Sequence, residues 1–295
     1  MRLVRFALLC ASLLCGQAAA AAELPQRWVS SGGSLSEWVV RLGGENKLVG
    51  VDTTSLHPQS LRQLPSVGYQ RALSAEGVLA LRPDILIGSE EMGPPPVIAQ
   101  LAAAGIRIET LSAKPELDVL EHNVLRLGEL LGAPARARQQ MAAYRQALRR
   151  QAEWVAQARQ QHQAPRVLML VGHAGSNLMA AGKDSLAAWL IEQAGGANGT
   201  EHNGYKPISD ETLLALDPQV LIFADRSLHG EAARQALLQH NPALRQTSAV
   251  RDGRLLILDP SLLVGGLGPR LPEGLAELAV AFYPSAQALT AAHDR

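Results

Sequence analysis

Beyond residue 22 the chain has no cysteine, because Cys10 and Cys15 both fall in its first segment. That excludes a disulfide framework, a zinc-thiolate site and a cysteine nucleophile, and leaves stability to packing. An excess of one charge is missing too. There are 27 basic and 27 acidic residues, and setting aside Arg2 and Arg5 leaves 25 against 27 with no long basic run. Nucleic acid is therefore not an expected partner. No apolar run approaches the roughly 20 residues that cross a bilayer. Catalytic signatures are also lacking. Gly182-Lys183 is not a phosphate loop, since Asn177 stands where the leading glycine belongs and Asp184 where Ser or Thr belongs. There is no G-x-S-x-G elbow, and GGLG at 265–268 lacks dinucleotide-site spacing. The chain is not expected to be an enzyme.

What is present begins at the N-terminus. Residues 1–22, MRLVRFALLCASLLCGQAAAAA, place Arg2 and Arg5 before a short apolar stretch and small residues after it. This is the pattern of a cleavable secretory signal. Leu9 and Leu14 precede the two cysteines where a lipoprotein would carry a small residue, so lipid anchoring is not expected. Removing the first 22 of 295 residues leaves about 273, more than one ordinary domain holds.

An internal repeat organises the remainder. Residues 73–91, LSAEGVLALRPDILIGSEE, align without gaps to 208–226, ISDETLLALDPQVLIFADR. Each copy predicts a short helix capped by Ser74 or Ser209, ended by Pro83 or Pro218, and followed by a continuously apolar strand of a covered parallel sheet. Upstream of each copy lies another strand, glycine turn and helix. Between the copies, 134–161 is rich in Ala, Gln and Arg, opens on Pro134 and has no glycine. It predicts one long helix with a stripe of Met141, Tyr144, Leu148, Trp154 and Val155. The expected fold is α/β, with two Rossmann-like lobes, each built on a mostly parallel sheet. The boundaries are signal 1–22, N-terminal lobe 23–133, backbone helix 134–163 and C-terminal lobe 164–295. A rigid connecting helix limits hinge motion and makes the junction the floor of a binding cleft.

The segment LPSVGYQRALSAEGVLALRP at 64–83 resembles the haem-binding members of the helical-backbone periplasmic binding proteins that serve ABC importers. The resemblance extends to VGVDTTSLHP (49–58), GHAGSNLMAAGKDS (172–185), NGYKPIS (203–209) and GLGPRLPE (266–273), covering nearly the whole exported chain. It implies a monomeric periplasmic receptor that takes ferric haem as transported ligand, downstream of an outer-membrane haem receptor. It further implies that Tyr69 is the axial ligand of the haem iron and that Arg71 accompanies it. The chemistry is sound in itself: a phenol ionises near pH 10, and both ferric iron and a guanidinium favour the phenolate.

Four further assignments follow. Allowing one gap in the repeat, Gly68-Tyr69 corresponds to Gly204-Tyr205, so Tyr205 is expected to face the same cleft and meet the porphyrin. Arg226 ends the second repeat's strand, where open α/β sheets place ligands, and resembles an arginine directed at haem. His173 follows the first strand of the C-terminal lobe, where some relatives bind a second haem. Glu90 or Glu91, together with Glu273, are the acidic residues expected to dock on the permease. Corrinoid or ferric-siderophore binding on the same fold is the main rival, although neither cargo requires a protein phenolate on its metal. A haem chaperone or sensor uncoupled from an importer is the rival of a different class.

Overall fold

The structure, a computed structural model, describes residues 24–172, 178–225 and 230–286. Strand β1 (Trp28–Ser30) is buried along its whole length and runs through a glycine turn into α1 (Gly33–Arg41). There follow β2 (Leu48–Val51), a hairpin of β3 (Gly68–Tyr69) and β4 (Ala72–Leu73), α2 (Ala75–Ala80), β5 (Ile85–Gly88), α3 (Pro95–Ala103), β6 (Arg107–Thr110) and α4 (Leu117–Leu131). The strands of this lobe form a four-stranded parallel sheet, ordered β2-β1-β5-β6, with Trp28 opposite Ile85 and Ile85 opposite Arg107. Helices cover both faces, so the central strands β1 and β5 carry no polar alternation.

The connecting helix is α5 (Pro134–Gln161), which opens on a proline at its first turn, where a missing N–H costs nothing. Its buried face holds Ala137, Met141, Tyr144, Gln151, Val155 and Ala158. Tyr144 meets Trp38 of α1 at 5.7 Å between ring centroids, and Trp154 meets Tyr283 edge-on at 6.1 Å. One stripe thus serves both lobes, and a single core cluster runs from Trp28 and Trp38 through Tyr144 to Ile191 and Phe282.

The C-terminal lobe comprises β7 (Arg166–Gly172), β8 (Met179–Ala181), α6 (Leu186–Gln193), β9 (Ala197–Asn198), β10 (Tyr205–Pro207), α7 (Asp210–Leu216), β11 (Val220–Asp225), α8 (Gly230–His240), α9 (Ser248–Arg251), β12 (Leu255–Ile257) and α10 (Leu271–Phe282). Its sheet is ordered β10-β8-β7-β11-β12, with β9 on the start of β7. β7, β11 and β12 are parallel, while β8 and β10 run antiparallel at one edge. The expected two-lobed α/β fold is what the chain adopts.

Residues 258–270 return to the N-terminal lobe as a strap. The Trp38 indole donates to the Leu267 carbonyl at 2.9 Å, and Ser34 N–H donates to the Val264 carbonyl at 3.1 Å. Arg270 forms a two-pronged pair with Glu37 of α1 at 2.8 and 2.7 Å, and Glu37 is only 6% exposed. A carboxylate buried this far is tolerable only with such a partner.

Candidate functional site

In open α/β sheets ligands sit beyond the carboxyl ends of the strands, and here those ends face one another across a cleft of about 910 Å³. This lies near the upper end of the roughly 300–1,000 Å³ usual for ligand pockets. The strap supplies its floor through Ser261, Val264 and Gly265. The start of α1 is closed internally. Gly32 N–H donates to the Asp52 carboxylate at 3.0 Å, Gly33 N–H to the Thr54 hydroxyl at 3.0 Å, and Ser34 N–H to the strap. The amides that would cradle a phosphate are therefore already engaged, two by side chains of the same lobe and one by a strap carbonyl.

Tyr69 stands on the N-terminal wall, at the end of β3, half-buried. Its hairpin turns through Gln70 and Arg71, and Gly68 enters it at φ +98°, where a Cβ would lie 2.8 Å from the Ala72 carbonyl. Only glycine suits both the conformation and the space. Backbone bonds pin this hairpin on three sides. Thr53 N–H donates to Gly68 at 2.9 Å, Gly93 N–H to Gln70 at 2.9 Å, and Leu73 N–H to Gly93 at 2.8 Å. Arg71 pairs with Glu91 at 2.5 Å, and the Gln70 amide donates to the other Glu91 oxygen at 3.1 Å. With Arg71 mostly exposed, the pair contributes at most about 1 kcal/mol and serves to orient more than to stabilise.

Tyr205 lines the opposite wall from β10 and is 39% exposed. Gly204, at φ +65°, donates its N–H to Asp184 at 2.8 Å and so fixes the approach to that tyrosine. The cleft thus brings Tyr69, Arg71 and Tyr205 together. His173 and Arg226 lie outside the described residues. Their strands, β7 and β11, end at the cleft edge, with Gly172 among the lining residues.

Glu90 and Glu91, named from sequence as candidate docking acids, are exposed and line the cleft, because they directly follow β5 at its carboxyl end. Glu91 holds the tyrosine hairpin, while Glu90 accepts from Ala113 N–H at 2.9 Å and from the Ser112 hydroxyl at 3.3 Å. Glu273, in the first turn of α10, is exposed. Lys114 is a cleft residue that sequence reasoning missed, although its place just after β6 obeys the same edge rule.

His57 pairs with Asp259 at 2.7 Å beside the floor. Burial alone would raise the Asp259 carboxyl. The Ser261 hydroxyl and amide, with Arg270 and His57, outweigh burial and hold it below the usual carboxylate range.

Comparison with known proteins agrees with this architecture. A family model described as periplasmic binding protein matches residues 29–262. The chain is 65% identical to a periplasmic haem-binding protein from Pseudomonas aeruginosa, covering 90% of this chain and 96% of that one with a TM-score of 0.89. It is 34% identical to the apo form of the periplasmic haem-binding protein RhuT from Roseiflexus sp. RS-1, covering 89% and 99% with a TM-score of 0.81. A cobalamin-binding protein of Halobacterium salinarum is 26% identical over 88% of this chain and 70% of its own length. With two lobes on a continuous helix, a cleft at the strand ends and a family model spanning both lobes, the chain belongs to the periplasmic binding protein family.

Proposed function

We propose that this protein is a periplasmic haem receptor that carries ferric haem in the interlobe cleft and hands it to an inner-membrane ABC importer. The observation that carries the reading is the placement of Tyr69: a phenol on a hairpin pinned by backbone bonds, at the wall of a cleft of ligand size, with Arg71 two residues on. A hard anionic oxygen favours ferric over ferrous iron, which suits an oxidising compartment. The high identity to the Pseudomonas aeruginosa haem-binding protein supports the same cargo.

Tyr69 is the axial ligand in this reading, and Arg71 favours its phenolate. Tyr205 meets the porphyrin from the opposite wall. Arg226 pairs with a propionate, and His173 belongs to a second, stacked haem. Docking on the permease falls to Glu90 or Glu91 on one lobe and Glu273 on the other, all three exposed. Among the described residues no helix is long and apolar enough to cross a membrane. The corrinoid reading rests on the more distant cobalamin-binding relative and leaves the pinned Tyr69 without a task.

The test is a hemin titration of the exported chain followed by visible absorption. The wild type is expected to saturate with a high-spin ferric spectrum and a tyrosinate charge-transfer band, and Tyr69→Ala to lose that band. A saturable spectrum indifferent to Tyr69, or no saturation, sends the assignment to corrinoids or siderophores.

A further inference from the structure

The described cleft lining carries two cations, Arg71 and Lys114, against three carboxylates, Glu90, Glu91 and Asp184. A dianionic porphyrin is therefore not drawn in by a general positive field; its carboxylates need a particular partner. Each lining carboxylate is already engaged. Glu91 takes Arg71 and Gln70, Glu90 takes the amide of Ala113 and the hydroxyl of Ser112, and Asp184 takes the amide of Gly204. Arg71 is committed to Glu91 at 2.5 Å. Lys114 is the remaining lining cation, and among the described residues it has no ion-pair partner.

Its loop is built to hold it there. Residues 111–116 join β6 to α4. Leu111 N–H donates to the Gly88 carbonyl at 2.8 Å, and Asn123, buried on α4, donates to the Ser112 carbonyl at 2.8 Å. Glu90 grips the same loop from the end of β5. The adjacent acids thus divide the wall: Glu91 steadies the hairpin that carries Tyr69 and Arg71, and Glu90 steadies the loop that carries Lys114.

We infer that Lys114 binds a propionate carboxylate of the porphyrin and so selects for the diacid form of the ligand. The inference rests on the haem reading above. Lys114 is exposed, which limits an ion pair there to a modest and salt-sensitive effect.

The experiment measures the affinity of wild type, Lys114→Gln, Lys114→Arg and Lys114→Glu for hemin and for hemin dimethyl ester, at low and high salt. Wild type is expected to prefer the diacid. Lys114→Gln should weaken hemin by about threefold to fivefold while leaving the diester unchanged, the size expected of an exposed pair. Lys114→Arg should restore the preference, Lys114→Glu should weaken hemin further, and high salt should narrow the gap. An unchanged diacid preference in Lys114→Gln, or an equal loss for both ligands, overturns the inference and leaves the haem reading standing. A wild type that fails to saturate with hemin overturns both.

Discussion

Ser74 and Ser209 cap matching helices, each accepting from a backbone N–H three residues on, and β5 and β11 follow at the same spacing. Around this shared unit the two lobes diverge. In the N-terminal copy the preceding glycine and tyrosine belong to a two-stranded hairpin standing apart from the main sheet, positioned by its turn and by Gly93. In the C-terminal copy they lead into β10, an edge strand of the main sheet paired in register with β8, Tyr205 opposite Ala181. One tyrosine is placed by a turn and the other by a ladder. A duplicated scaffold has kept its core and changed its rim, where a ligand would be read.

The largest expected contrast is between the tyrosines. Tyr69→Phe should cost hemin affinity at least about 100-fold, since even residues that only support a metal ligand cost 10–100-fold. Tyr205→Ala should cost no more than about tenfold, the scale of one aromatic contact. Equal losses in a hemin titration would break the distinction between the two rims.

The glycines sharpen the contrast at a smaller scale. Gly68→Ala combines a left-handed backbone with a close approach to the Ala72 carbonyl, whereas an added Cβ at Gly204 meets nothing within 4 Å. Urea unfolding should give roughly 2 kcal/mol of destabilisation for Gly68→Ala and about 1 kcal/mol for Gly204→Ala. The reverse order would mean that the hairpin is not held as described. The caps mark where the copies remain equal. Ser74→Ala and Ser209→Ala should each cost about 1 kcal/mol, and a difference as large as the effect itself would show that the shared unit has also diverged.

The repeat, the long helix and the continuous apolar strands were legible because each is a local pattern. Pro134 and the lack of glycine marked α5, and Ser74 and Ser209 marked their helices. Tyr69 was legible through the resemblance of its segment and Tyr205 through the alignment of the copies, and the structure puts both on the cleft. Lys114 was not, because a lone lysine in a loop carries no pattern until the strand beneath it is aligned with the cleft. The engagement of Glu91 and Glu90 with the cleft wall was hidden for a similar reason: their partners Arg71 and Ala113 lie 20 and 23 residues away. The strap of 258–270 depends on far longer pairings, which no local periodicity records.

The strap also bears on the order in which the molecule can be completed. Trp38 and Leu267 are 229 residues apart, and Glu37 and Arg270 are 233 apart. Contacts so distant close late, because the chain between them must first be ordered. A chain stopped before residue 258 would hold Glu37 without its guanidinium and the Trp38 indole without its acceptor, a loss of several kcal/mol within the lobe made first. Synthesis and locking therefore run in opposite directions: α1 is the first of the described helices to be made, and it is secured by residues 229 and 233 positions later.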